Sequence, residues 1–216
     1  MQLSRRTAGS GLWGALFTLT ACAGERNSAS QSADRQPDTV SSGQSSQVVR
    51  ARATIAGPPG SGIEGEVTLA ELKGGFPAPG VQIEARITGP SANLSPGRHG
   101  FHIHETARGG CVPPYTSAGG HFDPGPAGIP DPDVNHPFHL GDVPNLEVDG
   151  NGTGTLSATS SRITLSPGPL SVFDANGSSI IVHENADSGM PGPAKSGISG
   201  GPRIACGVIE LISGTP

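Results

Sequence analysis

The chain has 216 residues, of which 34 are Gly and 21 Pro, with one Trp, one Tyr and a formal net charge of −5. An acidic balance of this kind excludes the basic footprint of a nucleic-acid-binding protein. Gly and Pro could signal low complexity, but from position 57 they separate short β-branched runs, as turns between strands require.

Met1 to Ala21 has a basic start at Arg5 and Arg6, an apolar run from Leu12 to Leu19 and a small-residue exit. It reads as a secretory leader, too short and too weakly apolar to span a membrane. Leu19-Thr20-Ala21-Cys22 resembles a bacterial lipobox, which implies cleavage before Cys22 and an N-terminal lipid anchor in a membrane. Ser4-Arg5-Arg6-Thr7 also has the look of a twin-arginine signal, so two export routes stay open. Without the leader, 11 basic residues face 18 acidic ones, a net charge of −7. Residues 22–50 are rich in Ser, Gln, Ala and Asp and poor in large apolar groups. Such a stretch buries too little surface to offset ordering and reads as a flexible tether.

From residue 51 onward the texture is that of a β-domain, long enough to bury a sizeable core. Ala53 to Ile55, Gly65 to Leu72 and Val81 to Ile87 read as strands, the last with apolar side chains at 81, 83, 85 and 87 and polar ones between. Lys73 to Gly75 and Pro77 to Gly80 are turn chemistry. Arg98 to Glu105 is a further strand, and Leu146 to Val148 and Thr153 to Ala158 flank the hairpin signal Asp149-Gly150-Asn151-Gly152. Ile163 to Leu165, Ile180 to Val182 and Ile204 to Ile212 complete the set. The pattern predicts an all-β fold, an antiparallel sandwich or barrel of about eight strands. Two long stretches interrupt it, Thr106 to Pro144 and Asn185 to Pro202. Loops of that length inside a compact domain are usually functional.

Within Arg98 to Glu105, His102 and His104 alternate with Phe101 and Ile103. On a strand both imidazoles share one face, with Cα atoms roughly 6.5–7 Å apart, close enough to converge on one metal ion. Alone, the pair would equally describe a strand with two surface histidines. However, six of the seven histidines lie in short segments that look like metal donors, at 102, 104, 121, 136, 139 and 183. His139 is followed by Gly141-Asp142, and a mixed His and carboxylate set suits zinc, whereas nitrogen-rich sets suit copper or zinc.

Five segments, in order, resemble the copper–zinc superoxide dismutases of the bacterial exported type. They are Gly100-Phe101-His102-Ile103-His104-Glu105, Gly119-Gly120-His121-Phe122-Asp123-Pro124, His139-Leu140-Gly141-Asp142, Val182-His183-Glu184-Asn185-Ala186-Asp187 and Arg203-Ile204-Ala205-Cys206-Gly207-Val208-Ile209. The likeness covers about residues 51–216. It implies an eight-stranded antiparallel Greek-key barrel with two functional loops. The activity implied is dismutation of superoxide to oxygen and hydrogen peroxide by alternating reduction and oxidation of copper. Copper would be held by His102, His104, His121 and His183, and zinc by His121, His136, His139 and Asp142. His121 would bridge the two metals and pass a proton in the cycle. Asp187 would link a copper histidine to a zinc histidine, and His99 would be structural.

The resemblance also implies a disulfide between Cys111 and Cys206, which an oxidising compartment permits and which leaves Cys22 for lipidation. Arg203 matches the anion-guiding arginine of the channel, with Lys195 a weaker steering candidate and Asp123 a turn residue. Members of that family differ in their dimer interfaces, so a homodimer is allowed. The expected location is the periplasm or cell surface. One departure concerns the first zinc histidine, which in typical members follows the bridging histidine by eight or nine residues. Here no histidine comes before His136, fifteen residues after His121. Either His136 fills that role, as its closeness to His139 favours, or the site is depleted and Asp131 or Asp133 substitutes. A copper-delivery module of the same fold without turnover is the alternative function, expected to lack a copper histidine or the channel arginine.

Overall fold

A computed structural model describes residues 49–72, 80–125 and 128–213. The leader, Cys22, most of the tether and the Lys73 to Pro79 turn lie outside the described residues. Nine strands form one antiparallel sheet: β1 (Arg50–Ala56), β2 (Glu64–Glu71), β3 (Val81–Thr88), β4 (Gly97–His99), β5 (Phe101–His104), β6 (Leu146–Val148), β7 (Thr153–Ser160), β8 (Ser179–His183) and β9 (Arg203–Ser213). Their order across the sheet is β4-β6-β7-β3-β2-β1-β9-β8-β5.

The two edge strands, β4 and β5, are separated in sequence by Gly100 alone. A sheet whose opposite edges are joined by one residue must curl round until the edges meet, which gives a nearly closed barrel. The expected histidine strand is therefore real but broken. His99 pairs with Leu146 on one side, while Phe101 pairs with Val182 on the other. Counted as one broken strand, β4 and β5 bring the total to the eight expected. Glycine is needed at the break. A Cβ there would stand 2.7 Å from the Ser199 carbonyl oxygen and 3.2 Å from the His183 Cβ. Its own backbone bonds across the seam, with N–H donating to the Asn185 carbonyl and carbonyl accepting from His183 N–H, both at 2.8 Å.

Alternation builds the core. Val81, Ile83, Ala85 and Ile87 point inward from β3, with Gln82, Glu84 and Arg86 outward. Phe101 and Ile103 of β5 join them, fully buried. Each of the Val, Ile and Phe side chains contributes about 1.5–3 kcal/mol on burial. The hairpin at Asp149 forms as expected, its carboxylate accepting the N–H groups of Asn151 and Thr153 at 2.9 Å.

One expected strand does not form. Ile163 and Leu165 are buried, but this segment makes only a single bridge, Thr164 to Ser171. The N–H groups of Leu165 and Ser166 are taken by the Glu71 carboxylate at 2.9 and 2.6 Å, so no neighbouring strand is needed to satisfy them.

Candidate metal centre

Both long loops return to β5. The first is pinned to it by main-chain hydrogen bonds, Phe122 N–H to Ile103 carbonyl at 2.8 Å, Glu105 N–H to Gly120 carbonyl at 3.0 Å and Ile103 N–H to Gly141 carbonyl at 3.0 Å. His121 is thereby bridged to His104, and Asp142 to His102. His183 ends β8 directly opposite Arg203 on β9, with a register shift falling between Val182 and His183. Sequence positions 102, 104, 121, 136, 139 and 183 thus meet in one place, and none of these six imidazoles is more than 2% exposed.

Accounting for each ring nitrogen shows how the imidazoles are aimed. His104 Nδ1 donates to the Gly119 carbonyl at 3.1 Å and His183 Nδ1 to the Gly201 carbonyl at 2.9 Å. His102 Nε2 donates to Asp187 at 3.0 Å, and His121 Nδ1 lies 2.6 Å from Asp142. The other nitrogen of each ring, His102 Nδ1, His104 Nε2, His121 Nε2 and His183 Nε2, is buried with no hydrogen-bond partner. These four residues can each present a donor atom within 4.8 Å of the others. Four unpaired buried nitrogens in one place are costly on their own. As the lone-pair nitrogens of four oriented imidazoles, they fit a metal ion that prefers nitrogen.

A second set gathers on Asp142. Its carboxylate lies 2.6 Å from His121 Nδ1, 3.2 Å from His136 Nδ1 and 2.9 Å from His139 Nδ1. Three imidazole nitrogens and one carboxylate make a four-donor set of the composition zinc takes. Distance alone also groups His102 with His121, His136 and Asp142. His102, however, spends Nε2 on Asp187 and keeps Nδ1 among the nitrogen-rich four, while His139 stands at Asp142 itself. His121 is common to the two sets, one ring nitrogen toward each.

Asp187 links the sets, its two oxygens 2.7 Å from His136 Nε2 and 3.0 Å from His102 Nε2. What holds Asp187 leaves no mark in the sequence. Asn145 grips its main chain on both sides, donating to its carbonyl at 3.0 Å and accepting its N–H at 2.8 Å. Asp131 and Asp133 point elsewhere. Asp131 accepts the N–H groups of Asp133 and Val134. Asp133 accepts those of Gly197 and Ser199 and the Ser199 hydroxyl, tying the first long loop to the second. Asp123 accepts the Ile129 N–H, as a turn residue does. His99 is held between the carbonyls of His183 and Ser95, at 2.8 Å each.

The electrostatics divide the centre in two. Burial, reinforced by neighbouring imidazoles and Arg203, holds His104 and His183 well below the usual histidine range, so they stay neutral. Burial and His102 push His121 down to about 3, against the pull of Asp142. For His136 burial also opposes charge, but hydrogen bonds to Asp142 and Asp187 outweigh it and raise it to about 9. Hydrogen bonds from His121, His136 and His139 overcome burial at Asp142, and those from His102 and His136 overcome it at Asp187, holding both well below the carboxylate range.

Arg203 donates to the Tyr115 carbonyl at 2.7 Å and to the Gly119 carbonyl at 2.5 Å, the latter shared with His104. It lines a cavity of about 340 Å³ together with His183, Lys195, Asp131, Asp133 and Ser199. Cys111 and Cys206 form a disulfide, joining the first loop to β9, in keeping with an oxidising compartment.

A family model for copper/zinc superoxide dismutase matches residues 63–209. Superoxide dismutase [Cu-Zn] 1 of Salmonella typhimurium is 35% identical over 155 residues, covering 68% of this chain and 77% of that protein. Superoxide dismutase [Cu-Zn] of Photobacterium leiognathi is 34% identical, covering 67% of this chain and 85% of its own length. A crystal structure of a double mutant of a SOD-like protein from Bacillus subtilis superposes with a TM-score of 0.57 and 30% identity, covering 73% of this chain and 95% of that one. The chain belongs to the copper/zinc superoxide dismutase family, enzymes that use copper and zinc as cofactors.

Proposed function

We propose that this enzyme dismutates superoxide with copper held by His102, His104, His121 and His183 and zinc held by His121, His136, His139 and Asp142. The observation that carries the reading is His121, a single buried ring with one nitrogen in each donor set. Bound copper supplies the one-electron redox couple and zinc, which has no redox chemistry, a fixed charge. The chain's own residues do the rest. Asp142 fixes the Nδ1 side of His121 at 2.6 Å, so the ring cannot turn. Its Nε2 is then the atom that takes up a proton as one superoxide is oxidised to oxygen and returns it as a second is reduced, with solvent supplying the other proton of hydrogen peroxide. Asp187 holds the His102 and His136 rings in register with each other.

The Arg203 guanidinium, fixed by two carbonyls and facing the same cavity as His183, binds the anionic substrate. Lys195 lines that cavity and adds to the attraction in an otherwise acidic protein. Metal analysis beside a superoxide assay tests the reading: equimolar copper and zinc with turnover supports it. Copper bound without turnover would make the chain the delivery module instead. The leader and tether support a lipid-anchored, exported form, and loss of lipid labelling in Cys22→Ser is the expected result.

A further inference from the structure

The loop from His136 to Asp142 holds three of the zinc donors proposed above, yet it contains no regular structure. Its centre is pinned by Gly141 against Phe122 and Ile103. Its flanks are held by a residue from another part of the chain. Arg162 Nη1 donates to the Pro137 carbonyl at 3.0 Å, and Nη2 donates to the Asp142 carbonyl at 2.5 Å. One guanidinium therefore spans the stretch that contains His139, and it touches the main chain of Asp142 itself.

Arg162 is held firmly enough for this task. Its own N–H donates to the Ser160 hydroxyl at 3.3 Å, and Ile163 and Leu165 just beyond it are buried. The carboxylate of Glu71 holds Leu165 and Ser166. The segment that resembles a strand in sequence is thus a mount for one side chain. A planar fork can serve two carbonyls at once, which a lysine ammonium on a flexible stem does poorly. The pair of carbonyls also lies beside a cavity of about 360 Å³, lined by Arg162, Pro137, Asp142, Asn145 and Asp187. Water can enter there and satisfy the carbonyls if the guanidinium is removed. The barrel and the Gly141 pin then survive, but no side chain spans the loop from Pro137 to Asp142.

We infer that Arg162 is a positioning residue for zinc, setting the spacing of His139 and Asp142 through the Pro137 and Asp142 carbonyls. This rests on the zinc donor assignment above. The test uses the full metal-free chain as wild type, Arg162→Met, Arg162→Lys and His139→Ala, with zinc affinity from chelator competition, copper affinity in parallel and the visible spectrum of cobalt(II) added alone. Arg162→Met is expected to raise the zinc dissociation constant about 10- to 100-fold while copper affinity stays within about threefold, the usual range for losing a partner of a metal ligand. Arg162→Lys should recover only part of the loss, and the cobalt(II) bands should differ from wild type in both variants.

Zinc affinity within about threefold of wild type in both variants, or equal weakening of zinc and copper, overturns the inference. If Arg162→Met does not fold, a wild-type zinc affinity and cobalt(II) spectrum in Arg162→Lys overturns it as well. His139→Ala separates the two levels. Unchanged zinc binding there removes the donor assignment, whereas loss of zinc there with unaffected Arg162 variants removes the role of Arg162 alone.

Discussion

The two halves of the metal centre are held by different means. His102, His104 and His183 stand on β5 and β8, whose main chains are locked in an antiparallel ladder with β9 behind them. His136, His139 and Asp142 stand on an irregular loop, fixed in part by side chains from distant segments, Arg162 and Asp187, the latter gripped by Asn145. A ladder positions a ligand as a by-product of folding, so disturbing it costs stability first. A loop held by side chains can lose its geometry while the fold persists. Mutations in the two halves should therefore fail in different ways.

The largest effect is expected on the strand side. Phe101→Ala removes a fully buried ring between the seam at Gly100 and His102. It should cost about 3–5 kcal/mol in denaturant unfolding, with copper affinity falling in the same variant. Unchanged copper binding alongside such a loss would break the link between ladder and ligand geometry.

Next is the disulfide between the first loop and β9, which closes a separation of 95 residues. Replacing both Cys111 and Cys206 by Ser should cost about 2–5 kcal/mol. Tyr115, whose carbonyl holds Arg203, packs with these cysteines in a small cluster with Ala118 and Ile181. Superoxide turnover should therefore fall at low salt and become less sensitive to added salt as Arg203 loses its fixed position. A stability loss with an unchanged salt profile would confine the disulfide to folding.

The loop side should show the reverse pattern. Asn145→Ala removes both grips on the Asp187 main chain and should weaken zinc by about 10-fold or more. Its cost in stability should be about 1 kcal/mol, since the main-chain groups it releases are only part-buried. A loss of several kcal/mol there would show that the loop is as much a part of the folding unit as the ladder is.

The same division explains what could be read from the sequence. Alternation in Val81 to Ile87 and the hairpin signal at Asp149 were legible because local periodicity decides them. The convergence of six histidines and Asp142 was legible because imidazoles and carboxylates are chemically distinctive, and Asp187 came from the family resemblance. Arg162 and Asn145 were not, because both act on main-chain groups, which leave no trace in the identity of the residue they hold. The break at Gly100 was hidden for a related reason. Phe101 and His102 alternate correctly on either reading, and only the meeting of β4 and β5 across the closed sheet requires it. Ile163 to Leu165 misled because burial of alternate residues looks like a strand, whereas the N–H groups of Leu165 and Ser166 are satisfied by Glu71, more than ninety residues away in sequence.

The smallest effect tests the join between the two loops. Burial opposes charge on Asp133, but the Gly197 N–H, the Ser199 hydroxyl and the Ser199 N–H outweigh it, and its carboxyl lies below the usual aspartate value. A carboxyl depressed in the folded state contributes stability above the unfolded value, about 3.9, and loses it as pH falls through the folded one. Asp133→Asn keeps an oxygen acceptor but removes the charge, so it should cost about 1 kcal/mol at neutral pH in the metal-free chain. That difference from wild type should shrink once pH drops below about 4. Urea unfolding of both proteins at neutral and acid pH reads this directly. A gap that stays constant across that range would mean that Asp133 joins the loops by shape and hydrogen bonding, with no contribution from its charge.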